Sequence, residues 1–426
     1  MQKNQLYAFT SAACNYLPKV RLLAQSLKQF HPEIRLVLAL SDRTPSLELL
    51  AGEAWDEIIP LDSLDIPARD RWSFTHEIVE LSTAIKPFVL QNLLERIDCA
   101  GVFYFDPDMV LFSRLDDLFG LLSTSDILLT PHQTSPESSL SRIVDNEICS
   151  LKHGTYNLGF IGVRPSSNGV AFARWWSKRV YYFCQNDIPN GLFTDQRWID
   201  LVPALFNGVN IVRSPRFNVA PWNLTSRSFS GDFSEGFLVD GEALGFYHFT
   251  GFDSGAHRIM VTKYSPENQS LKALIDWYQG ETVRTKSDPL SLLPWAFGCF
   301  SNGAPIYRAH RLIYRSRPDL QMLFPNPFSV TTKPSFFHWC ARAGRSEYKD
   351  LLPTAKKNAD WSRVKGPLFT SLTADEPISV PLATRLRVAV RDFQQARLLQ
   401  QQILRVLGRE GFPGFKRRLL AFLRGH

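Results

Sequence analysis

The chain has 426 residues, a hydrophobic content of 44% and a formal net charge of +7; this composition is ordinary for a globular protein, and the length suggests two or three domains. No apolar run is long enough to cross a bilayer, and the N-terminus lacks the apolar region of a signal peptide. The six cysteines are scattered without a Cys-x-x-Cys pair, which argues against a zinc site and favours free thiols in a reducing cytoplasm.

The first hundred residues alternate between strand and helix patterns. The predicted elements are strands at 5–10, 34–40 and 58–61 and helices at 16–30 and 75–97, the last with a kink at Pro87. Because strand, helix and strand follow one another, they predict a parallel sheet with right-handed crossovers.

The next predicted strand, Val-Phe-Tyr-Phe at 102–105, is apolar throughout and ends on Asp106 and Asp108. Such a strand is typical of a sheet that is covered on both faces. In open α/β sheets ligands bind beyond the carboxyl ends of the strands, so we expect these carboxylates beside a ligand. Two carboxylates on a rigid Asp-Pro turn suit Mg²⁺ or Mn²⁺ shared with substrate phosphates. Asp-Pro is also a common turn sequence, so a purely structural role stays open.

A different chemistry also fits this stretch. An apolar strand followed by Asp-x-Asp-x-Val-Leu is similar to the nucleophile motif of haloacid-dehalogenase-like phosphatases, in which Asp106 would attack phosphorus. That motif normally follows the first strand of its domain, whereas other predicted strands precede Asp106 here. No Gly-Asp-x-x-x-Asp follows an apolar strand downstream. The phosphatase is therefore kept as the alternative.

Beyond Asp108 the strand and helix patterns continue to about residue 250. They predict strands at 127–132, 156–163, 209–212 and 247–249 and helices at 172–183 and from Asp195, which is a candidate helix cap. After residue 265 the chain changes to Pro-rich, aromatic loops and short helices. We expect three domains, at 1–265, 266–380 and 381–426.

Four short motifs stand in a fixed order along the chain: Asp106-x-Asp108, Asn157-x-Gly159-Phe160, Asp195-Gln196-x-x-Ile199 and His248-Phe249-x-Gly251. In this order they resemble the retaining glycosyltransferases of family 8, over residues 5–260. Glycogenin and the bacterial lipopolysaccharide galactosyl- and glucosyltransferases belong to that family. The resemblance implies the GT-A fold, an α/β fold with a mixed sheet flanked by helices. It also implies a nucleotide-sugar donor bound with Mn²⁺ or Mg²⁺. In this chain we expect a C-terminal, mostly helical extension in addition.

The resemblance also implies roles for individual residues. The metal would be held by Asp106, Asp108 and His248, and the catalytic positions, next to the donor sugar, would be Asn157, Asp195 and Gln196. The donor-binding positions implied are Thr10, Ala12, Asp42, Lys86, Asp106, Gly159, His257 and Arg258. The last two stand where the family has Lys-Pro-Trp, which is absent here, so either would take over a phosphate contact.

Each of these roles has a structural alternative. His248 would then be an ordinary buried histidine, Asn157 would tie down a turn, and Asp195 would cap a helix beside a solvent-facing Gln196. Lys86 would be a solvated helix residue, and Trp222 would be part of the core or would stack on a sugar ring.

The positive charge is concentrated in the C-terminal tail. From Leu382 onward, ten basic residues stand against two acidic ones, a charge of +8, so the preceding residues sum to −1. Between Phe415 and Arg424 apolar and basic residues fall on opposite helical faces, which is typical of a helix on an anionic membrane. Packing on the rest of the chain or on a second subunit is the alternative, and no nucleic-acid partner is expected.

The sequence therefore predicts a metal-dependent glycosyltransferase that moves a hexose, with retention, from a UDP-sugar to a glycan or lipid-linked glycan acceptor. Because no convincing nucleophile is found, same-face displacement assisted by the leaving phosphate is the expected course. We expect synthesis of a bacterial cell-surface polysaccharide or lipopolysaccharide, in the cytoplasm or on the inner face of the membrane. A non-catalytic scaffold that binds glycans or nucleotides is a further alternative.

Overall fold

The structure is a computed structural model that describes residues 4–50, 52–331, 334–348 and 352. The described strands are β1 Gln5–Ala12, β2 Arg35–Leu40, β3 Glu57–Pro60, β4 Cys99–Phe105, β5 Met109–Leu111, β6 Ile127–Pro131, β7 Tyr156–Val163, β8 Gln185–Asp187, β9 Leu192–Thr194, β10 Val209–Ile211, β11 Phe229–Asp232, β12 Gly236–Val239, β13 Glu242–Ala243 and β14 Phe246–His248. The basic tail at 381–426 lies outside the described residues, so the predictions made for it are not addressed.

Helices α1 to α10 lie between the strands, and α11 to α16 follow them. They are α1 Leu17–Phe30, α2 Arg69–Phe74, α3 Ile78–Ala84, α4 Lys86–Leu94, α5 Asp116–Gly120, α6 Leu140–Arg142, α7 Cys149–His153, α8 Ser167–Phe183, α9 Gln196–Ile199, α10 Val202–Leu205, α11 Ala256–Tyr264, α12 Gln269–Arg284, α13 Arg308–Ser316, α14 Pro318–Leu323, α15 Phe336–Trp339 and α16 Arg345–Glu347. Across the described part of the chain, none of these helices combines the length and the apolar character that a bilayer span needs.

Seven strands form the central sheet, in the order β10-β6-β7-β4-β1-β2-β3. The predicted parallel arrangement holds for β1, β2, β3 and β4. β7 instead runs antiparallel to both of its neighbours, β4 and β6. The sheet is therefore mixed and flanked by helices, which confirms the predicted fold class.

The predicted helix at 75–97 is wrong as a single element. It is divided into α3 and α4 at Ile85, and α2 ends before it at Phe74. Pro87 does not kink a helix, because it occupies the first turn of α4. Proline is favoured there, since its missing N–H would have no partner inside the helix. Lys86 thereby becomes the first residue of α4.

The chain divides into two compact units. The first comprises residues 1–67 and 78–296 and contains the central sheet; the second comprises residues 68–77 and the described residues from Phe297 onward. The first unit thus runs past residue 265 and includes α12. The division into three domains stays a prediction.

The second unit has an aromatic core. The ring of Phe74, from α2, packs within 6.0 Å, centroid to centroid, of four other rings, those of Phe300, Tyr314, Phe328 and Phe336. The buried guanidinium of Arg311 donates to the carbonyl of Phe74 at 3.0 Å. A ten-residue segment from early in the chain is therefore an integral part of this core.

The core of the first unit is dense around the centre of β7. Phe160 is fully buried, and its ring centroid lies 5.3 Å from that of Phe105 and 5.5 Å from that of Phe246. Phe105 is the last residue of β4, and Phe246 is the first of β14. The ring of Phe160 therefore supports the two strands that lead into Asp106 and His248.

We expect the substitution Phe160→Ala to destabilise the protein by about 3–5 kcal/mol, because it removes a fully buried ring and leaves a cavity. Urea unfolding followed by circular dichroism measures this. The matched control is Ile97→Ala, since Ile97 is 72% exposed and its change should stay within about 0.5 kcal/mol. Equal losses for the two variants would contradict the packing described.

Candidate metal centre and active site

Strand β4 ends in a tight turn that presents two carboxylates. The carbonyl of Asp106 accepts a hydrogen bond from the N–H of Met109 at 3.0 Å. Pro107 occupies the second position of this turn, where its fixed φ is favourable. The side chains of Asp106 and Asp108 are 25% and 19% exposed. Both therefore remain accessible to a ligand at the carboxyl edge of the sheet.

His248 reaches the same place because β14 pairs with β5, directly after the turn. The antiparallel register puts His248 opposite Met109, and the N–H of Phe249 donates to the carbonyl of Asp108 at 2.9 Å. His248 Nε2 then lies 3.1 Å from Asp108 Oδ1 and 3.6 Å from Asp106 Oδ2. Backbone pairing thus joins two motifs that are far apart in the sequence.

The three side chains fit a divalent cation. One ligand atom from each of Asp106, Asp108 and His248 lies within 4.8 Å of the others. Two carboxylates and one imidazole leave coordination positions for substrate oxygens, and carboxylates are the ligands preferred by Mg²⁺ and Mn²⁺. Burial lowers the pKa of His248, but the carboxylates of Asp108 and Asp106 outweigh this and hold that pKa above its ordinary value. The cluster therefore attracts positive charge.

A buried lysine connects this cluster to Asp195. Lys86 Nζ lies 3.3 Å from Asp106 Oδ1 and 3.2 Å from Asp195 Oδ2, and both Lys86 and Asp195 are almost completely buried. Burial lowers the pKa of Lys86, yet the two carboxylates more than offset this and raise it. The alternative of a solvated lysine is therefore wrong.

Asp195 does not cap a helix through its side chain. It precedes α9 without making a capping hydrogen bond, because its carboxylate lies against Lys86 instead. Burial raises the pKa of Asp195, and Lys86 opposes that shift. The preceding residue, Thr194, has a φ of 46°, a left-handed conformation that a β-branched residue rarely adopts. This strained backbone directs Asp195 inward.

Gln196 is buried as well, so the alternative of a solvent-facing side chain is also wrong. Its Oε1 accepts from the N–H of Leu158 at 2.9 Å, and its Nε2 donates to the carbonyl of His153 at 3.0 Å. The first bond holds Leu158 near the start of β7, and the second holds the end of α7. Gln196 thus keeps in place the backbone that lies between Asn157 and Gly159.

Gly159 allows the close approach of β7 to the cluster. Its carbonyl accepts from the N–H of Asp106 at 2.7 Å. A Cβ at this position would lie 2.6 Å from His248 Cε1 and 2.7 Å from Asn157 Oδ1, and it would also collide with Met109. Only glycine therefore leaves room for the imidazole.

The expected donor-binding residues occupy neighbouring strands of the sheet. Thr10 and Ala12 lie at the end of β1, next to β4, and Asp42 follows β2. All three are buried, and Thr10 Oγ1 has no hydrogen-bond partner in the described part of the chain. The carboxylate of Asp42 accepts from the N–H groups of Cys14, Arg43 and Ala296 at 3.2, 2.9 and 3.0 Å. Asp42 thus connects three backbone segments by hydrogen bonds at this edge of the sheet.

His257 and Arg258 lie in different environments at the start of α11. His257 is buried, and its Nε2 lies 3.1 Å from the hydroxyl of Tyr247. Burial lowers the pKa of His257 to about 4, so its imidazole is uncharged at neutral pH. Arg258 is exposed and donates to Gln279. A phosphate contact from either residue stays a prediction.

Sequence reasoning missed two residues of the cluster's surroundings. The hydroxyl of Tyr104 donates to Asp106 Oδ1 at 2.6 Å, and strand alternation could have placed these two residues on one face. His132 is buried at the end of β6. Trp222 lies between two imidazoles, with its ring centroid 4.9 Å from that of His132 and 5.4 Å from that of His248. It is half-buried beside the candidate metal site.

No family model matches the chain. Two curated proteins of Bacillus subtilis (strain 168) are similar to it, and both are uncharacterized. YfnF is 29% identical over 258 residues, which cover 57% of this chain and 82% of YfnF. YfnD is 26% identical over 241 residues, which cover 55% of this chain and 73% of YfnD.

Three solved structures show a distant likeness. The galactosyltransferase LgtC, in complex with donor and acceptor sugar analogues, aligns with a TM-score of 0.37 and 15% identity, covering 68% of this chain and 98% of LgtC. A glycosyltransferase involved in glycosylation of the major capsid of PBCV-1 has a TM-score of 0.35 and 9% identity, covering 60% and 98%. An active-site mutant of LgtC has a TM-score of 0.34 and 15% identity, covering 58% and 88%.

We expect Lys86→Met to destabilise the protein by about 3–5 kcal/mol, because it leaves Asp195 buried without a counter-charge. The double variant Lys86→Met/Asp195→Asn should recover much of this loss, since the unpaired charge is gone. Urea unfolding of Lys86→Met, Asp195→Asn, the double variant and the exposed control Lys178→Met tests the pairing. A double variant as unstable as the sum of the two single variants would show that Lys86 and Asp195 are not coupled.

For Gly159→Ala we expect a folded protein that no longer gains thermal stability from Mn²⁺, because the added methyl group displaces His248. A metal that binds only the folded state raises the melting temperature, so differential scanning fluorimetry with and without Mn²⁺ measures the effect. Gly280→Ala is the control, since nothing lies within 4 Å of its added Cβ. A full Mn²⁺ response in Gly159→Ala would contradict the assignment of His248.

Proposed function

We propose that this protein is a metal-dependent glycosyltransferase that uses a nucleotide-sugar donor. The observation that carries the proposal is the meeting of Asp106, Asp108 and His248 at the carboxyl edge of the sheet. The family 8 resemblance named these three residues as metal ligands from motifs that are distant in the sequence. Their convergence beside Lys86, Asp195 and Asn157 supports reading the four motifs as parts of one site.

In this proposal Asp106, Asp108 and His248 hold Mn²⁺ or Mg²⁺ through carboxylate and imidazole atoms. The ion, when bound, would bind the donor diphosphate and stabilise the negative charge of the nucleoside diphosphate that leaves. Lys86 holds the carboxylates of Asp106 and Asp195 in place and adds positive charge on the same side. Such fixed charges need no rearrangement when the glycosidic bond to phosphate breaks.

Asp195 is the proposed carboxylate nearest the donor sugar. Its Oδ2 lies 3.2 Å from Lys86 Nζ, and both side chains are almost completely buried. The amide of Gln196 is bound to the backbone of Leu158 in β7 and of His153 in α7 and does not serve as a nucleophile in this proposal. Retention by same-face displacement, in which the leaving phosphate assists the acceptor hydroxyl, therefore remains the course we propose.

We propose a UDP-hexose as donor and a glycan or lipid-linked glycan of the bacterial cell surface as acceptor. The family 8 resemblance supports the class of donor and acceptor. The basic, amphipathic sequence of the tail supports an acceptor presented at the inner face of a membrane, where anionic lipids attract arginine and lysine.

We expect one nucleoside diphosphate, or its sugar conjugate, to raise the melting temperature only when Mn²⁺ or Mg²⁺ is present. Asp108→Asn should remove this response, because it takes away a charged ligand from the metal. Asp276→Asn is the control, since Asp276 is a surface aspartate with a 58% exposed side chain.

A panel of nucleotides and nucleotide sugars, followed by detection of the released nucleoside diphosphate, tests binding and turnover together. Binding without turnover, in the presence of acceptor glycans, would favour the scaffold. A phosphoryl group trapped on Asp106 without any nucleotide response would favour the phosphatase and overturn this proposal.

A further inference from the structure

Asn157 is enclosed by hydrogen-bonding groups on all sides. Its Oδ1 lies 3.1 Å from His248 Nδ1 and accepts from the N–H of Gly159, also at 3.1 Å. Its Nδ2 lies 3.3 Å from His132 Nε2 and 3.4 Å from Gln196 Oε1. An asparagine side chain offers two donor hydrogens and two acceptor lone pairs. All four are used within the protein, so none is left for a donor sugar.

The neighbours of Asn157 determine which way its amide points. The backbone N–H of Gly159 can only donate, so the atom facing it must be the amide oxygen. Gln196 Oε1 is itself identified by the N–H of Leu158, which it accepts at 2.9 Å, so the atom of Asn157 facing it must be the nitrogen. Two independent backbone groups therefore give the same orientation.

The position of the hydrogen on His132 is fixed in the same way. Its Nδ1 lies 3.3 Å from the carbonyl of Thr155, an atom that can only accept, so Nδ1 carries the hydrogen. His132 Nε2 then carries no hydrogen, and its lone pair accepts a hydrogen bond from Asn157 Nδ2. In a neutral imidazole one nitrogen donates and the other accepts. The backbone at Thr155 thus fixes the acceptor that Asn157 requires.

The orientation of the Asn157 amide determines which ring nitrogen of His248 carries a hydrogen. Because Asn157 Oδ1 only accepts, His248 Nδ1 must carry a hydrogen, and Nε2 is the nitrogen available as a metal ligand. That atom is the one that lies 3.1 Å from Asp108 Oδ1 and 3.6 Å from Asp106 Oδ2. The group that holds the second ring nitrogen sets the orientation of a metal-binding histidine.

We propose that Asn157 is a positioning residue for the metal site: with His132 behind it, it holds His248 so that Nε2 faces Asp106 and Asp108. This role differs from the contact with the donor sugar that the sequence motif implies. It rests on the proposed function, because it presupposes that the cluster binds a metal.

The test is the affinity for Mn²⁺, measured directly by calorimetry or by electron paramagnetic resonance, without substrate. In Asn157→Leu the shape is kept but the acceptor is lost, and we expect the dissociation constant for Mn²⁺ to rise about 10–100-fold, the usual cost of losing such a support. Asn157→Asp keeps an acceptor oxygen for His248 Nδ1 but loses the donor to His132 Nε2, so its loss of Mn²⁺ affinity should be clearly smaller than that of Asn157→Leu and comparable to that of His132→Phe.

The matched control is Asn223→Leu. Asn223 is also fully buried, but its amide is bound only to backbone, at Ala220, Asn218 and His132. We expect this variant to lose stability while it keeps its Mn²⁺ affinity. If Asn157→Leu does not fold, His132→Phe leaves Asn157 in place, removes its acceptor and should weaken Mn²⁺ binding several-fold.

The outcomes separate the two proposals. A parent protein that binds no Mn²⁺ overturns the proposed function, and this inference with it. A parent that binds Mn²⁺, with unchanged affinity in Asn157→Leu or, if that variant does not fold, in His132→Phe, overturns only the positioning role. Equal losses in Asn157→Leu and Asn157→Asp would also overturn it, because the acceptor oxygen would then make no difference.

Discussion

Charge balance at the end of β4 is the constraint on which the site depends. Asp106, Asp108 and Asp195 bring three carboxylates together in a region where Lys86, Asp195 and His248 are almost completely buried. Removing a charged group from water costs several kcal/mol unless it is paired. A single lysine at the start of α4 pairs with two of the carboxylates, which leaves Asp108 and one oxygen of Asp106 to attract a cation. The division between α3 and α4 therefore matters for the candidate site, because it places this lysine at the start of a helix, beside Asp106 and Asp195.

The geometry of the site is set by backbone pairing more than by side-chain contacts. The antiparallel strand β7 brings Asn157 and Gly159 beside Asp106, and the pairing of β14 with β5 brings His248 beside Asp108. Side chains add further support: the ring of Phe160 packs against Phe105 and Phe246, and the amides of Asn157 and Gln196 are held by hydrogen bonds within the protein. In the proposed function, an arrangement that is already formed by the backbone favours electrostatic stabilisation, because little rearrangement is then needed.

Much of the sheet, and the three residues that meet in the candidate metal cluster, could be predicted from the sequence. Apolar runs such as Val102 to Phe105 and the helical spacing of α1 report burial directly, and the order of the four motifs linked Asp106 to His248. The environment of each polar side chain could not be predicted, since a sequence does not show which buried group lies opposite another. Asp195 and Gln196 stand at the start of α9, but the sequence did not show what their side chains contact. Asp195 pairs with Lys86, and Gln196 holds the backbone of Leu158 in β7. The antiparallel direction of β7 was equally hidden, because strand patterns carry no direction.

The ten residues at 68–77 have a consequence for how the protein is made. They belong to the second unit, although the remainder of that unit begins only at Phe297. On a ribosome that adds about 5–20 residues per second, the partners of Phe74 emerge about 220 residues later, after a delay of about 10–40 s. Throughout that time Phe74, which is fully buried in the finished protein, lacks the rings of Phe300, Tyr314, Phe328 and Phe336 that it packs against. In the nascent chain, the aromatic segment at 68–77 therefore stays exposed while the rest of the first unit is synthesised. Chaperones recognise exposed apolar surface of this kind.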